Sequence, residues 1–168
     1  MQVIDLDKVR YVGGGGISSA QYFFRKAQNS KGIIKIFYKI FYRLFASYRH
    51  LEIPTSCSIG PGLYLGHMYN ITINPKAVIG KNCNIHRGVL IGQENRGKRK
   101  GTPTIGDCVW IGINSCIIGN IKIGNDVLIA PNSYVNCDVP DHSIVFGNPC
   151  IIKHRDNATE DYINRRIK

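Results

Sequence analysis

His67 sits in the stretch GLYLGHMYNITI, residues 62–73, inside a pattern that sets a branched aliphatic residue at every sixth position. An imidazole there is neither apolar nor small. Glu52 precedes it by fifteen residues, and His86 and Arg87 follow it by nineteen and twenty. An acid beside an imidazole fixes its tautomer and stabilises the imidazolium formed when it takes a proton. That is the equipment for general-base activation of a hydroxyl. The expectation is a vertical ladder of Glu52, His67 and Arg87 on one outer wall. The plainer reading of His67 is a solvated surface histidine.

The elements that would position these groups are set by a period of six. Ile53, Ile59, Leu65 and Ile71 head successive units, and after a slip of two residues, assigned to Asn70–Asn74, so do Ile73, Ile79, Ile85 and Ile91. A polar interruption, QENRGKRKGTPT, precedes Ile105, Ile111, Ile117, Ile123, Ile129 and Val135. Six matches neither the 3.6-residue period of a helix nor strand alternation. It matches short strands joined by corners, each burying its head and its fifth residue, with β-branched Ile suited to a pleated wall. Three units close one triangular turn, and stacked turns make a parallel β-helix over residues 51–152, interrupted by a loop at 93–104. A sandwich does not predict a strict six. The pattern leaves handedness open, since strand crossovers are usually right-handed.

Upstream, residues 1–50 form a leader and a helical segment. Apolar residues at 33, 36, 37, 40, 41, 44, 45 and 48 line one helix face, with Lys35, Lys39 and Arg43 opposite. This face either packs on the β-helix end or a neighbouring subunit, or makes a peripheral membrane contact through residues 33–48. Glycines 13–16 read as a flexible joint. Downstream, the basic tail 153–168 frays or caps the solenoid end.

Composition bounds the class. With 168 residues, 43% hydrophobic and 20% charged, the chain suits one compact domain. No apolar run reaches bilayer length, and the first residues lack a secretory core. The six cysteines show no CxxC pairing, so reduced thiols and the cytoplasm are expected, at most at the inner face of the membrane. No metal site is expected, because His50, His67 and His86 lack metal-site spacing. The net charge of +11 calls for an anionic partner, but no motif supports nucleic acid.

The stretch LEIPTSCSIGPGLYLGHMYNITINPKAVIGKNCNIHRGVLIG resembles the catalytic half of the serine acetyltransferases and their exopolysaccharide acetyltransferase relatives, and Gly147-Asn148-Pro149 resembles the superfamily's closing motif. The resemblance implies a left-handed parallel β-helix, a homotrimer, and acetyl-CoA as cosubstrate in a groove between subunits. It implies His67 as general base with Glu52 as its acid, direct transfer without an acyl-enzyme, and backbone oxyanion donors at Gly92 and Gln93. Acceptor contacts fall to His86 and Arg87. Contacts to the coenzyme A fall to Arg96, Lys98, Arg99, Lys100, Thr102, Asn114, Lys122, Ala130 and Lys153. Serine acetyltransferases carry an acid before the histidine and an Arg-His pair before the proline after the loop. This chain has Gly66 and Gly101-Thr102 there, so the charges of free serine would go unpaired. The expectation is therefore an O-acetyltransferase acting on a sugar hydroxyl of surface polysaccharide, free or lipid-linked. Serine O-acetyltransferase and a non-catalytic β-helix scaffold are the alternatives.

Overall fold

A computed structural model of the protein describes residues 2–11 and 16–168. Three helices, α1 (Val3–Val9), α2 (Ser19–Asn29) and α3 (Gly32–Tyr48), precede a three-faced parallel β-helix. Of the glycine joint at 13–16, only Gly16 falls among the described residues.

Each face is a stack of short strands. The first holds β1 (Ser58–Ile59), β4 (Val78–Ile79), β7 (Thr104–Ile105) and β10 (Lys122–Ile123). The second holds β2 (Tyr64–Gly66), β5 (Asn84–His86), β8 (Trp110–Ile111), β11 (Val127–Ile129) and β13 (Ser143–Phe146), closed by antiparallel β14 (Ile151–His154). The third holds β3 (Thr72–Ile73), β6 (Leu90–Gly92), β9 (Cys116–Ile118) and β12 (Tyr134–Val135), with Glu52 bridging to Thr72 below them. The pairings stack the heads in register: Ile79 on Ile105, Ile85 on Ile111, Ile91 on Ile117. All six are buried, and each contributes about 1.5–3 kcal/mol by leaving water.

Corners need backbone that most residues avoid. Asn82, Cys108, Asp126 and His142 turn the chain between the first and second faces with positive φ, and Asn70, Asn114 and Asn132 turn it between the second and third. Asn and Asp visit this left-handed region at lower cost than bulkier residues. The Gly60–Gly80–Gly106–Gly124 column has a different cause: a Cβ on Gly60 would lie 2.6 Å from the Gly80 carbonyl carbon, so the coils approach too closely for one.

The slip of two residues falls earlier than the sequence pattern suggests. Gly66 pairs with His86, twenty residues on, whereas Thr72 pairs with Leu90, eighteen on. Gly88 donates to the carbonyl of Tyr69 at the next corner. The two extra residues therefore lie between Gly66 and Asn70. Ile71 is then no head but a corner filler, the counterpart of Val89.

The open end of the β-helix is capped by the helices. Asp7 accepts from Arg25 Nε at 2.7 Å, from Gln21 Nε2 at 3.1 Å and from the Leu63 amide at 3.0 Å. Arg25 in turn donates to the carbonyls of Ile59 and Gly60. Strand groups that would otherwise face nothing are thereby satisfied. Phe23 of α2 stacks on Phe41 and Phe45 of α3, and Tyr42 donates to the Ile53 carbonyl. The tail neither frays nor caps. It runs back along the edge between the first two faces, held by Asp126 at Ala158 and Thr159, by Asn84 at Tyr162 and by Asn82 at Ile167.

Candidate active site

The insertion between Gly66 and Asn70 puts His67 on the edge between the second and third faces, exposed and with φ of 49°. Met68, beside it, is buried and meets Ser18 Oγ at 3.2 Å. The insertion is thus pinned from inside while the imidazole is pushed outward. The corners at Cys108 and His142 use the same backbone, so it is the place of this exposed imidazole in the insertion that sets His67 apart.

His86 lies next to it, with ring centroids 6.4 Å apart. Gly66 makes room for the His86 ring: a Cβ there would lie 2.5 Å from both Cε1 and Nδ1. On its other side His86 packs on Trp110 at 4.7 Å. Burial, and after it the nearby His67, lowers the His86 pKa to about 4, so this imidazole is neutral at neutral pH. Its Nε2 is buried without a hydrogen-bond partner. A cavity of about 270 Å³ opens beside it, lined by Tyr64, Asn84, His86, Trp110, Tyr162 and Arg10 among others.

The expected ladder does not form. Glu52 lies on the third face, below Thr72, and its carboxylate accepts from Thr72 Oγ1 at 3.4 Å. No hydrogen bond or ion pair joins Glu52 to His67. Glu52 stays in register with the strand that follows, paired with Thr72, while His67 lies in the insertion before it. Arg87 is exposed, its amide bonded to the Gly66 carbonyl at 3.1 Å.

The other candidates divide between two edges. His67, His86, Arg87, Asn114 and Ala130 lie along the edge between the second and third faces. Gly92, Gln93, Arg96, Lys98, Arg99 and Thr102 lie along the opposite edge of the third face. There the loop is closed by a bridge between Glu94 and Gly101 and pinned where Asn120 donates to the Arg99 carbonyl at 2.9 Å. The Gln93 amide donates to no acceptor among the described residues, while its side-chain Oε1 accepts from Asn74 at 3.1 Å. Thr102 Oγ1 donates to the Lys76 carbonyl. Lys122 is exposed at the start of β10, and Lys153 stands apart on β14, 5.7 Å from the Phe146 ring. Among the described residues no cluster of three metal-ligating side chains occurs.

Residues 102–137 match the family model described as bacterial transferase hexapeptide (six repeats). Serine acetyltransferase from Staphylococcus aureus (strain Mu50) is 37% identical over 108 residues, covering 64% of this chain and 51% of the relative. This chain spans about half or less of the curated relatives it matches. Serine acetyltransferase from Brucella abortus strain S19 in complex with coenzyme A superposes with a TM-score of 0.74 at 25% identity, over 91% of this chain and 67% of that one. The Neisseria gonorrhoeae serine acetyltransferase in complex with serine gives 0.70 at 26%, over 90% and 68%. The shared fold is the left-handed parallel β-helix.

These relatives overturn the sugar acceptor expected from the sequence: they are serine acetyltransferases, with no polysaccharide enzyme among those named. The expectation rested on the missing charges at Gly66 and Thr102. It read Gly66 as the loss of an acid; the structure shows that this glycine makes room for the His86 ring. Tyr64, Trp110 and Tyr162 also escaped the sequence reading. The first two occupy outward positions of one strand column, a signal that was legible; Tyr162 arrives through the returning tail.

Proposed function

We propose that the protein is an acetyl-CoA-dependent O-acetyltransferase of the serine acetyltransferase kind, with serine as acceptor and His67 as general base. The observation that carries this is the placement of His67: an exposed imidazole in left-handed backbone, thrust out by an insertion and adjacent to a neutral His86. The relatives and their complexes with coenzyme A and serine support the substrates.

In this reading His67 takes the proton of the serine hydroxyl as its oxygen attacks the thioester carbonyl. The oxyanion is met by a backbone N–H, for which the undonated amide of Gln93, next to Gly92, is suited. Collapse expels the coenzyme A thiolate, which recovers the proton from the imidazolium. His86 and Arg87 contact the acceptor, and the loop cations Arg96, Lys98 and Arg99 hold the phosphates of coenzyme A.

His67 and Gln93 cannot serve one thioester within a single chain. From Asn70 to Asn74 the third face is four steps of ~3.3 Å, roughly 13 Å wide, and reacting groups must lie at about 3 Å. A neighbouring copy that lays its loop edge against this chain's histidine edge resolves the conflict, which supports a homotrimer with intersubunit sites. A compartment that holds acetyl-CoA, such as the cytoplasm, is what this reading needs.

The test is thiol release from acetyl-CoA with serine as acceptor. His67→Ala is expected to lower turnover ~10²–10⁴-fold. Glu52→Gln is expected to cost under about tenfold, because no bond ties Glu52 to the imidazole. Turnover unaffected by His67→Ala, or none with serine, refutes the reading.

A further inference from the structure

α3 is more exposed than a surface helix of its composition should be. Ile33, Ile36, Phe37, Ile40 and Leu44 are each more than half exposed, and Ala46 is the helix's buried residue. They recur at helical spacing along one stripe, while Phe45, Tyr38 and Tyr42 turn toward α2 and the first coil. An apolar stripe of this size on a folded chain marks an interaction surface.

Charge identifies what covers it. Between Lys8 and Leu51 the sequence holds eight Lys and Arg and not one Asp or Glu. Arg25 is consumed by Asp7 and Arg10 is buried at the edge of the first coil. Lys31, Lys35, Lys39 and Arg43 remain on or beside α3, and none has an acidic partner among the described residues. Lys39 and Arg43 flank the stripe, where long cationic side chains can reach around an apolar surface to a polar boundary. A second copy docked through the same stripe would set these cations against their own kind. An anionic surface would not.

We propose that this face of α3 docks on an anionic lipid bilayer, lying in the plane of the interface with the stripe against the acyl boundary and the cations among the headgroups. Among the described residues no helix is long and apolar enough to cross a membrane, and a short basic helix with a broad apolar face is the form that lies on one. The inference is independent of the chemistry assigned to His67.

Co-sedimentation of the full chain with vesicles tests it, using pure phosphatidylcholine against phosphatidylcholine mixed with phosphatidylglycerol. The wild-type chain should pellet with the mixed vesicles and stay in solution with the neutral ones. Phe37→Ser with Ile40→Ser, and separately Lys39→Glu with Arg43→Glu, should each weaken binding by about tenfold or more, since each cation near such a surface is worth about a fivefold factor and the second variant removes two. These positions are exposed, so circular dichroism should show the fold retained. The proposal is overturned if the wild-type chain ignores mixed vesicles, or if the apolar pair binds like wild type. It is equally overturned if light scattering shows the apolar pair splitting an oligomer while vesicles are ignored, which would assign the stripe to a second copy.

Discussion

Gly66→Ala should disturb both stability and titration through one contact. The added Cβ would lie 2.5 Å from two atoms of the His86 ring, against an ordinary carbon contact of about 3.5–4 Å, so the ring must retreat by roughly 1 Å. It cannot do so freely, because Trp110 packs behind it at 4.7 Å. Overpacking of this kind costs about 1–3 kcal/mol. The sequence contains a single Trp, and it is Trp110, so urea unfolding followed by its emission reads the site directly. The same emission reports protonation of His86, because an imidazolium at this distance acts on the indole π face. In the wild type the midpoint should fall near pH 4, since burial and then His67 depress that pKa to about 4. Between about pH 6.5 and that value the unfolded chain carries a proton on this imidazole that the folded chain does not. Stability should therefore fall as pH drops through this window and level off below it. Gly66→Ala, by pushing the ring toward water, should move the midpoint up toward the ordinary histidine value. Unfolding within about 0.5 kcal/mol of wild type, together with an unmoved midpoint, would refute the fitted contact between Gly66 and His86.

The tail should be pH-sensitive at one clamp. Burial pushes the Asp126 carboxyl up, but hydrogen bonds from Thr159 and His142 outweigh this and hold it below its ordinary value, so docking is retained above about pH 4 and lost as pH falls through the lowered pKa. The raised His142, bonded to Asp126 at 2.9 Å, acts in the opposite direction: its contribution is present in mild acid and lost as pH rises through its folded pKa. Hydrogen exchange at residues 158–168 should show a protected middle range that Asp126→Asn abolishes, and protection unchanged in that variant would refute the clamp. Asp7→Asn leaves Arg25 buried without its counter-charge and should cost about 3–5 kcal/mol in chemical unfolding; a loss under about 1 kcal/mol would show the helical cap to be dispensable.

Most of the β-helix was legible because its physics is local and repeated. A six-residue unit with Ile at its head can bury that side chain only on a short strand, and the stacking of Ile85 on Ile111 follows. α3 was legible from its stripe. α2 was not, because its buried positions include Gln21 and Arg25, polar residues whose partners, Asp7 and the strand carbonyls, lie far away in the sequence. The site failed for a similar reason. The sequence reading put Glu52 in a ladder with His67, fifteen residues on, but the coordinates bond its carboxylate to Thr72 and show that the extra residues precede Asn70. Gly66 could be read only as an absence, since its counterpart His86 is a neighbour through the solenoid rather than along the chain.

The chemistry therefore concentrates where the period breaks. A perfect hexapeptide column offers flat outward walls, in which each outward side chain has an equivalent one coil above and one below. The insertion at His67 and Met68 lifts one imidazole out of that equivalence, and the loop from Gln93 to Thr102 leaves the Gln93 amide without an acceptor among the described residues and gathers four cations, Arg96, Lys98, Arg99 and Lys100, on the opposite edge. These breaks occupy the two edges of a single face, and that separation bears on assembly. Moving the loop by one coil would leave the face as wide as before, so shortening it cannot convert an isolated chain into a complete site. Mixing His67→Ala chains with chains altered in the loop should accordingly restore activity in the fraction of interfaces that pair an intact histidine with an intact loop. Two inactive variants that never complement one another would place the whole reaction on one edge of one chain.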